Sequence, residues 1–109
     1  MSIIQTDKID FIGTDKASNS VILTISDHLD WNDSESHLLL LQEKLNSYLT
    51  FCESGEIYEV YPQARGNALI IEIVGEHPLS QEGSDFLEQV KEIIRENGNI
   101  ELCFRHFTD

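Results

Sequence analysis

The chain has 109 residues, of which 40% are hydrophobic and 25% are charged, and its net charge at pH 7 is −13. A chain of this length and composition fits one globular domain, which we expect to span residues 1–109. Seven Lys and Arg residues stand against 20 Asp and Glu residues, so the cations that bind phosphate are scarce, and we expect neither nucleic-acid binding nor attachment to an anionic membrane.

Two strands are predicted near the start of the chain. The segment DKIDFI at 7–12 alternates apolar and polar residues, and VILTIS at 21–26 does so more clearly, with Val21, Leu23 and Ile25 on one face. The turn-rich segment between them is short, so we expect the two strands to form an antiparallel hairpin.

The acidic segment Asp27–Asp33 follows and leads into a helix predicted from about Glu35 to Phe51. Asn32, Asp33 and Ser34 are all suitable helix caps, and they stay open as alternatives. The predicted buried face repeats at three- and four-residue steps and comprises Leu38, Leu41, Leu45, Tyr48, Leu49 and Cys52. Leu39 and Leu40 widen this apolar arc beyond what one sheet face covers.

The next segments predict a second hairpin. Ser54-Gly55 is typical of a helix end. EIYEVYP at 56–62 is rich in Tyr, Ile and Val and predicts a strand. ALIIEIV at 68–74 is apolar on both faces except at Glu72, which predicts a central strand.

A second helix, capped by Ser84, and a closing strand, IELCFRHF at 100–107, complete the predicted order β-β-α-β-β-α-β. This order predicts an α+β fold of two layers, with one mostly antiparallel five-stranded sheet and both helices on one face. If the last strand pairs with 68–74 through the second helix, that connection is a parallel, right-handed crossover.

Carboxylates and imidazoles are concentrated between residues 27 and 37. Asp27, Asp30 and His37 are the candidate metal ligands, since hard cations bind oxygen and transition metals also accept imidazole. The alternating ligands and the glycine of a calcium loop are missing, as is HExxH, and helix capping accounts for carboxylates here equally well. A small metal- or ligand-binding protein is therefore the alternative hypothesis.

A partner-binding surface is predicted in the same part of the chain. Trp31 is either an exposed anchor for a partner or a packing residue that folds back over the end of the core. Exposed leucines beside the acidic segment would form an apolar patch of the kind that marks an interface. The candidate partner-binding residues are Asp30, Trp31, Asp33, Leu39 and Leu40.

Catalytic signatures are missing from the sequence. There is no GxSxG elbow and no phosphate-binding loop, and Glu53 beside Cys52 would disfavour a thiolate. We therefore expect no enzyme but a non-enzymatic interaction domain. It would form a homodimer through Leu39 and Leu40, or bind a basic protein through its carboxylates as an immunity- or inhibitor-like protein.

The cellular compartment follows from what the chain lacks. The first ten residues have no basic region followed by an apolar run, so no signal peptide is predicted, and no apolar run approaches the length of a membrane span. Cys52 and Cys103 lie far apart and outside any CxxC motif. We expect a cytoplasmic protein with reduced thiols and no cofactor.

A series of spacings between residues 27 and 62 resembles a known family. The series is Asp27-x-Leu29-x-Trp31, His37-Leu38, Leu41-Gln42-x-Lys44-Leu45-Asn46-x-Tyr48, Glu53-Ser54-Gly55 and Tyr61-Pro62. Over residues 7–75 the chain resembles a family of small acidic bacterial proteins that is classed only as a domain of unknown function. The resemblance implies a bacterial source, and it supplies no activity, cofactor or site residue.

Overall fold

A computed structural model describes residues 3–98 and 100–107 of the chain. The α+β class is confirmed, and no helix in these ranges is long and apolar enough to cross a membrane. The elements in chain order are β1 (Phe11–Asp15), β2 (Ser20–Asp27), α1 (Ser34–Glu53), α2 (Glu56–Val60), a 3-10 helix (Pro62–Ala64), β3 (Ala68–Gly75), α3 (Gln81–Asn97) and β4 (Ile100–His106).

The described residues form a four-stranded sheet in the order β1-β2-β3-β4. β1 and β2 pair antiparallel, whereas β2–β3 and β3–β4 are parallel pairs. The predicted first hairpin and the parallel connection to the last strand are confirmed, although β1 begins four residues later than predicted. The prediction of a mostly antiparallel sheet of five strands with two helices is wrong.

The error lies in residues 56–62, which form α2 and the start of the 3-10 helix rather than a strand. Gly55 has a left-handed φ of 87° and turns the chain after α1. The Tyr58 amide then donates to the Gly55 carbonyl oxygen at 3.0 Å, which closes the first turn of α2. Only Ile57 of α2 is buried, so one helical turn covers the core here despite the strand propensity of the sequence. Because no strand lies between β2 and β3 in the chain, the connection through α1 joins them as parallel neighbours.

The core lies between one face of the sheet and the helices. Alternate residues of each strand point to this face, as strand geometry requires. Leu87 and Ile94 of α3 reach the core from the helical layer. From β2 and β3 the core receives Val21, Leu23, Ile25, Leu69, Ile71 and Ile73, all at most 4% exposed. From α1 it receives Leu41, Leu45, Tyr48, Phe51 and Cys52.

A buried lysine fixes the segment that precedes β1. Lys44 of α1 is fully buried, and its ammonium donates to the carbonyl oxygens of Gln5 at 2.7 Å and Lys8 at 2.8 Å and to Asp10 Oδ1 at 2.8 Å. The second carboxylate oxygen of Asp10 accepts from the Ser26 amide at 2.9 Å. The ammonium has three N–H donors, and these three acceptors satisfy them. One ion pair thus joins the N-terminal segment, α1 and β2.

Tyr48 extends this connection one turn further along α1. Its hydroxyl donates to the carbonyl oxygen of Thr24 in β2. The same hydroxyl accepts a hydrogen bond of 2.8 Å from the Asp10 amide. Burial is the main reason why the pKa of Tyr48 lies well above its ordinary value. The phenol therefore stays protonated and keeps its role as a donor.

Replacing Lys44 by Met keeps the apolar stem but leaves the Asp10 carboxylate buried without its cation. Removing one partner of a buried pair costs about 3–5 kcal/mol of unfolding free energy. In urea unfolding, K44M is expected to show a lower midpoint with little change in slope.

K91M is the matched control for this substitution. Lys91 Nζ lies 3.5 Å from Glu88 Oε1, with 30% and 70% of the two side chains exposed. A pair in water contributes at most about 1 kcal/mol, so K91M is expected to unfold near the wild-type midpoint. Equal losses in K44M and K91M would contradict the structural role of Lys44.

Candidate partner-binding site

Asp27, the last residue of β2, forms a buried pair with His37 of α1. His37 Nε2 lies 2.6 Å from Asp27 Oδ2, and His37 Nδ1 lies 3.0 Å from the Asp30 carbonyl oxygen. Asp27 is 3% exposed and His37 is 2% exposed. The carbonyl can only accept, so Nδ1 carries a proton, and a second proton occupies the Nε2–Oδ2 bond. The pair is neutral as a whole, which lowers the cost of its burial.

Trp31 stacks on His37 and joins the starts of α1 and α3. The two ring centroids are 3.7 Å apart, and the ring planes differ by 19°. The far edge of the indole meets Gly83 in the first turn of α3, where a Cβ atom would lie 2.8 Å from Trp31 Cη2. The half-buried indole packs against the core, in agreement with the packing alternative for this residue, while a role as partner anchor stays a prediction.

Asp33 and Asp30 hold the loop that leads into α1. Of the three predicted caps, Asp33 is the N-cap, and its Oδ1 accepts from the Ser36 amide at 3.2 Å. Asp30 Oδ1 accepts from the Asn32 amide at 3.0 Å. Both side chains are exposed. The hydrogen bonds within the described residues use only Oδ1 of each carboxylate, so each Oδ2 is available to a ligand.

These residues border an open depression of about 380 Å³, here named the acidic depression. Its lining residues are His28, Leu29, Asp30, Asp33, Ser36, His37 and Leu40. The structure thus brings together three of the predicted partner-binding residues. Leu39, the fourth, lies on the outer face of α1 and is 58% exposed, while Trp31 lies beyond the lining.

The two extra leucines of α1 differ in their surroundings. Leu39 is exposed, but Leu40 is half-buried and packs against the core. They therefore do not form one continuous exposed leucine patch. Of the two leucines on which the predicted homodimer was based, only Leu39 is exposed.

The three predicted metal ligands are not arranged as a ligand set. Asp27 and His37 bind each other, and Asp30 turns its backbone carbonyl, not its carboxylate, toward His37. Among residues 3–98 and 100–107, no group of three or more His, Cys, Asp or Glu side chains is placed to hold a metal ion. The metal hypothesis stays a prediction to which this geometry adds nothing.

Cys52 borders a separate, mostly apolar cavity of about 260 Å³ between α1, α2, α3 and the sheet. The thiol is free and buried. Burial, and to a smaller extent the Glu53 carboxylate, raise its pKa to about 11. The prediction that Glu53 disfavours the thiolate is confirmed, with burial as the larger cause.

Sequence reasoning missed the buried positions of His37 and Lys44 and the seat of Trp31 at Gly83. The helical pattern carried a signal for the first two, because they continue the buried stripe of Leu41, Leu45 and Tyr48 at three- and four-residue steps. Gly83 gave no local signal, because its contact with Trp31 is set by the packing of distant segments.

Residues 1–108 match the model of a family that is described as a family of unknown function (DUF6572). The chain belongs to this family, so the predicted membership in a family of unknown function is confirmed, and the match extends beyond residues 7–75 over nearly the whole sequence. No match was found among curated proteins or among solved structures.

The contact between Trp31 and Gly83 predicts that G83A destabilises the fold, although Gly→Ala substitutions in helices usually stabilise it. Ala ordinarily stabilises a helix by about 1 kcal/mol relative to Gly. At Gly83 the added Cβ would lie 2.8 and 2.9 Å from Trp31 Cη2 and Cζ2, and such overpacking costs about 1–3 kcal/mol. We therefore expect G83A to lower the unfolding midpoint.

The matched test is G83A in a W31L background. A leucine lacks the six-membered ring that meets Gly83, so G83A is expected to be neutral or stabilising there. A stabilising G83A in the chain with Trp31 intact would refute the contact.

The raised pKa of Cys52 predicts a stability loss at high pH. Its folded value of about 11 exceeds the ordinary value of about 8.5, so folding favours the protonated thiol. This stabilisation is fully present below about pH 8.5 and is lost as the pH rises through the folded value.

Urea unfolding at about pH 8 and about pH 10.5 measures this loss. Wild type is expected to lose more unfolding free energy between the two values than C52A does. Tyr48 and Cys103 also titrate at high pH, but they are present in both proteins, and their effect cancels in the comparison. Equal losses would show that Cys52 does not contribute.

Proposed function

We propose that this member of the family of unknown function is a non-enzymatic interaction domain that binds a basic segment of another protein at the acidic depression. The observation that carries the proposal is the composition of the depression. Exposed carboxylates of Asp30 and Asp33 stand beside an apolar wall of Leu29 and Leu40, in a chain with a net charge of −13. A Lys or Arg side chain matches both parts, with an apolar stem and a cationic end.

The position of the depression in the fold supports this proposal. β2, β3 and β4 run parallel, so their carboxyl ends at Asp27, Gly75 and His106 lie at the same end of the sheet. The Glu76 amide donates to the Asp27 carbonyl oxygen at 2.9 Å and joins the loops that follow β2 and β3. Loops held in this way by a rigid sheet are frequent binding sites.

The depression is held in shape before any partner arrives. Its floor contains His37, whose ring is fixed by two hydrogen bonds and by stacking on Trp31. Asp33 is fixed as the cap of α1. A preformed site loses little conformational entropy when a partner binds, which favours affinity for the same contacts.

Leu39 extends the surface along the outer face of α1. Glu35 and Glu43 lie one turn before and one turn after it, so an exposed apolar side chain is framed by two exposed carboxylates. A partner segment that inserts a cation into the depression would reach Leu39 with its next apolar residue.

The Asp27–His37 pair supports a binding role rather than a catalytic one. A general base must approach the proton that it removes to hydrogen-bonding distance. Both side chains are at most 3% exposed, and both imidazole nitrogens have acceptors from the protein itself. In this arrangement the pair holds the loop.

Peptide display against the immobilised full chain tests the proposal. Selected peptides are expected to contain Lys or Arg beside an apolar residue. Their affinity is expected to fall roughly tenfold in D30N/D33N, because two charge pairs are lost, and to fall at about 0.5 M salt, where charges are screened beyond a few ångströms.

The matched control is E92Q/E96Q, which removes the same charge from exposed positions of α3. Asn caps helices as well as Asp does, so D33N keeps the start of α1 intact. Binding that is unchanged in D30N/D33N, or that is reduced equally in both variants, would refute recognition at the depression.

A further inference from the structure

Among residues 3–98 and 100–107, β4 lies at the edge of the sheet, and no strand pairs with its outer side. The Phe107 amide donates to the Gly75 carbonyl oxygen at 2.8 Å, and His106 stands opposite Gly75. Backbone groups alternate in direction along a strand. Residues 101, 103 and 105 therefore point their N–H and C=O groups toward β3, while residues 100, 102, 104 and 106 point theirs outward. A seven-residue edge of this kind is a template for another strand.

We infer that two copies of this chain pair through β4 as antiparallel neighbours about a two-fold axis at Cys103. This register sets Glu101 opposite the partner's Arg105, and by symmetry Arg105 opposite the partner's Glu101. It also sets Leu102 opposite the partner's Phe104, and every residue of Ile100–His106 has a counterpart. The inference involves a different surface from the acidic depression and does not depend on the proposed function.

Backbone parity and charge together select this register. Outward-pointing residues must face outward-pointing residues, so the axis passes through a residue and not between two residues. A two-fold axis at Leu102 would set Glu101 opposite the partner's Cys103. A two-fold axis at Phe104 would set Arg105 opposite the partner's Cys103. Either shift loses both charge pairs and shortens the overlap of the two strands.

The side chains that would form the charge pairs lie on the sheet face without helices. Leu102 stands beside Ile71 on the core side, so Glu101 and Arg105 point to the opposite face. Arg105 is 56% exposed, and its Nε lies 3.7 Å from Glu72 Oε1. This contact is loose enough for the guanidinium to reach a carboxylate across the new strand pair.

The other edge strand lacks such complementarity. β1 has five residues, and self-pairing about Gly13 would set Phe11 opposite the partner's Asp15. No opposite charges would meet there. Opposite-charge pairs favour a strand pairing, whereas an apolar residue facing a carboxylate adds nothing to it.

Light scattering on the full chain in reducing buffer tests the pairing, and a mass of twice 12.4 kDa is expected. E101R and R105E each set like charges opposite each other at two places, so the dimer dissociation constant is expected to rise roughly tenfold. The double variant E101R/R105E exchanges the charges and is expected to restore the dimer. Circular dichroism verifies that each variant is folded.

A disulfide between the two copies of Cys103 would test the position of the two-fold axis directly. In the inferred register it faces the partner's Cys103 in a non-hydrogen-bonded pair with about 4.5 Å between Cα atoms, a distance that a disulfide spans. Diamide takes one hydrogen from each of two thiols as the sulfur–sulfur bond forms. It is expected to link C52S into dimers and to leave C103S unlinked.

Several results would overturn the inference. These are a wild-type monomer at all concentrations, a dimer that tolerates both single charge reversals, a folded double variant that stays monomeric, and C52S that resists linking. D30N/D33N is expected to remain dimeric, so a failure of this inference and a failure of the proposed function are separate observations.

Discussion

The buried ammonium of Lys44 is the contact on which the arrangement of the chain depends. It binds two carbonyl oxygens of the segment before β1 and the carboxylate of Asp10. That segment carries Ile3, which is fully buried in the core. A buried cation is tolerated only when its donors are satisfied, so α1 and the N-terminal segment have to adopt the one arrangement that brings these acceptors to Lys44.

Three polar residues of α1 set its position against β2. His37 binds Asp27 at the end of the strand, Lys44 reaches Ser26 through Asp10, and Tyr48 binds Thr24. Apolar side chains alone would allow a helix to shift by a turn at moderate cost, because one leucine replaces another. A shift of α1 would instead break all three buried hydrogen-bonding groups together, and each unsatisfied group costs about 1–3 kcal/mol.

Most helices and strands could be predicted from periodicity, because their buried faces follow the simple repeats of helix and strand. β2, α1, β3 and β4 were predicted near their observed bounds. The second helix was also predicted, but its predicted cap, Ser84, is wrong, because α3 begins at Gln81 and Ser80 is its N-cap. The topology could not be predicted, because it depended on residues 56–62. The strand propensity of this segment favoured a β-strand, whereas the segment forms a short helix in which only Ile57 is buried. This one misassigned segment led to the prediction of a mostly antiparallel sheet, whereas two of the three strand pairs are parallel.

The candidate site was predictable in part for a similar reason. Asp30, Asp33 and Leu40 are close in sequence and follow a strand end, so local pattern located them. The packing of Trp31 against Gly83 joins segments about 50 residues apart and has no local signature in the sequence. The hydrogen bonds of His37 to Asp27 and to a backbone carbonyl also had no local signature, and they fix the orientation of its ring in the candidate site.

The two proposed surfaces place a geometric condition on any partner. Pairing through β4 would make one continuous sheet in which the two copies of β2 run in opposite directions. Each acidic depression lies at the carboxyl end of its own β2, so the two depressions would lie at opposite ends of the joined sheet. Five strand spacings separate the two copies of β2, about 24 Å across the sheet. One short basic segment cannot span both depressions, so each copy of the chain would bind its own segment, and a bivalent partner would gain affinity only with a long linker.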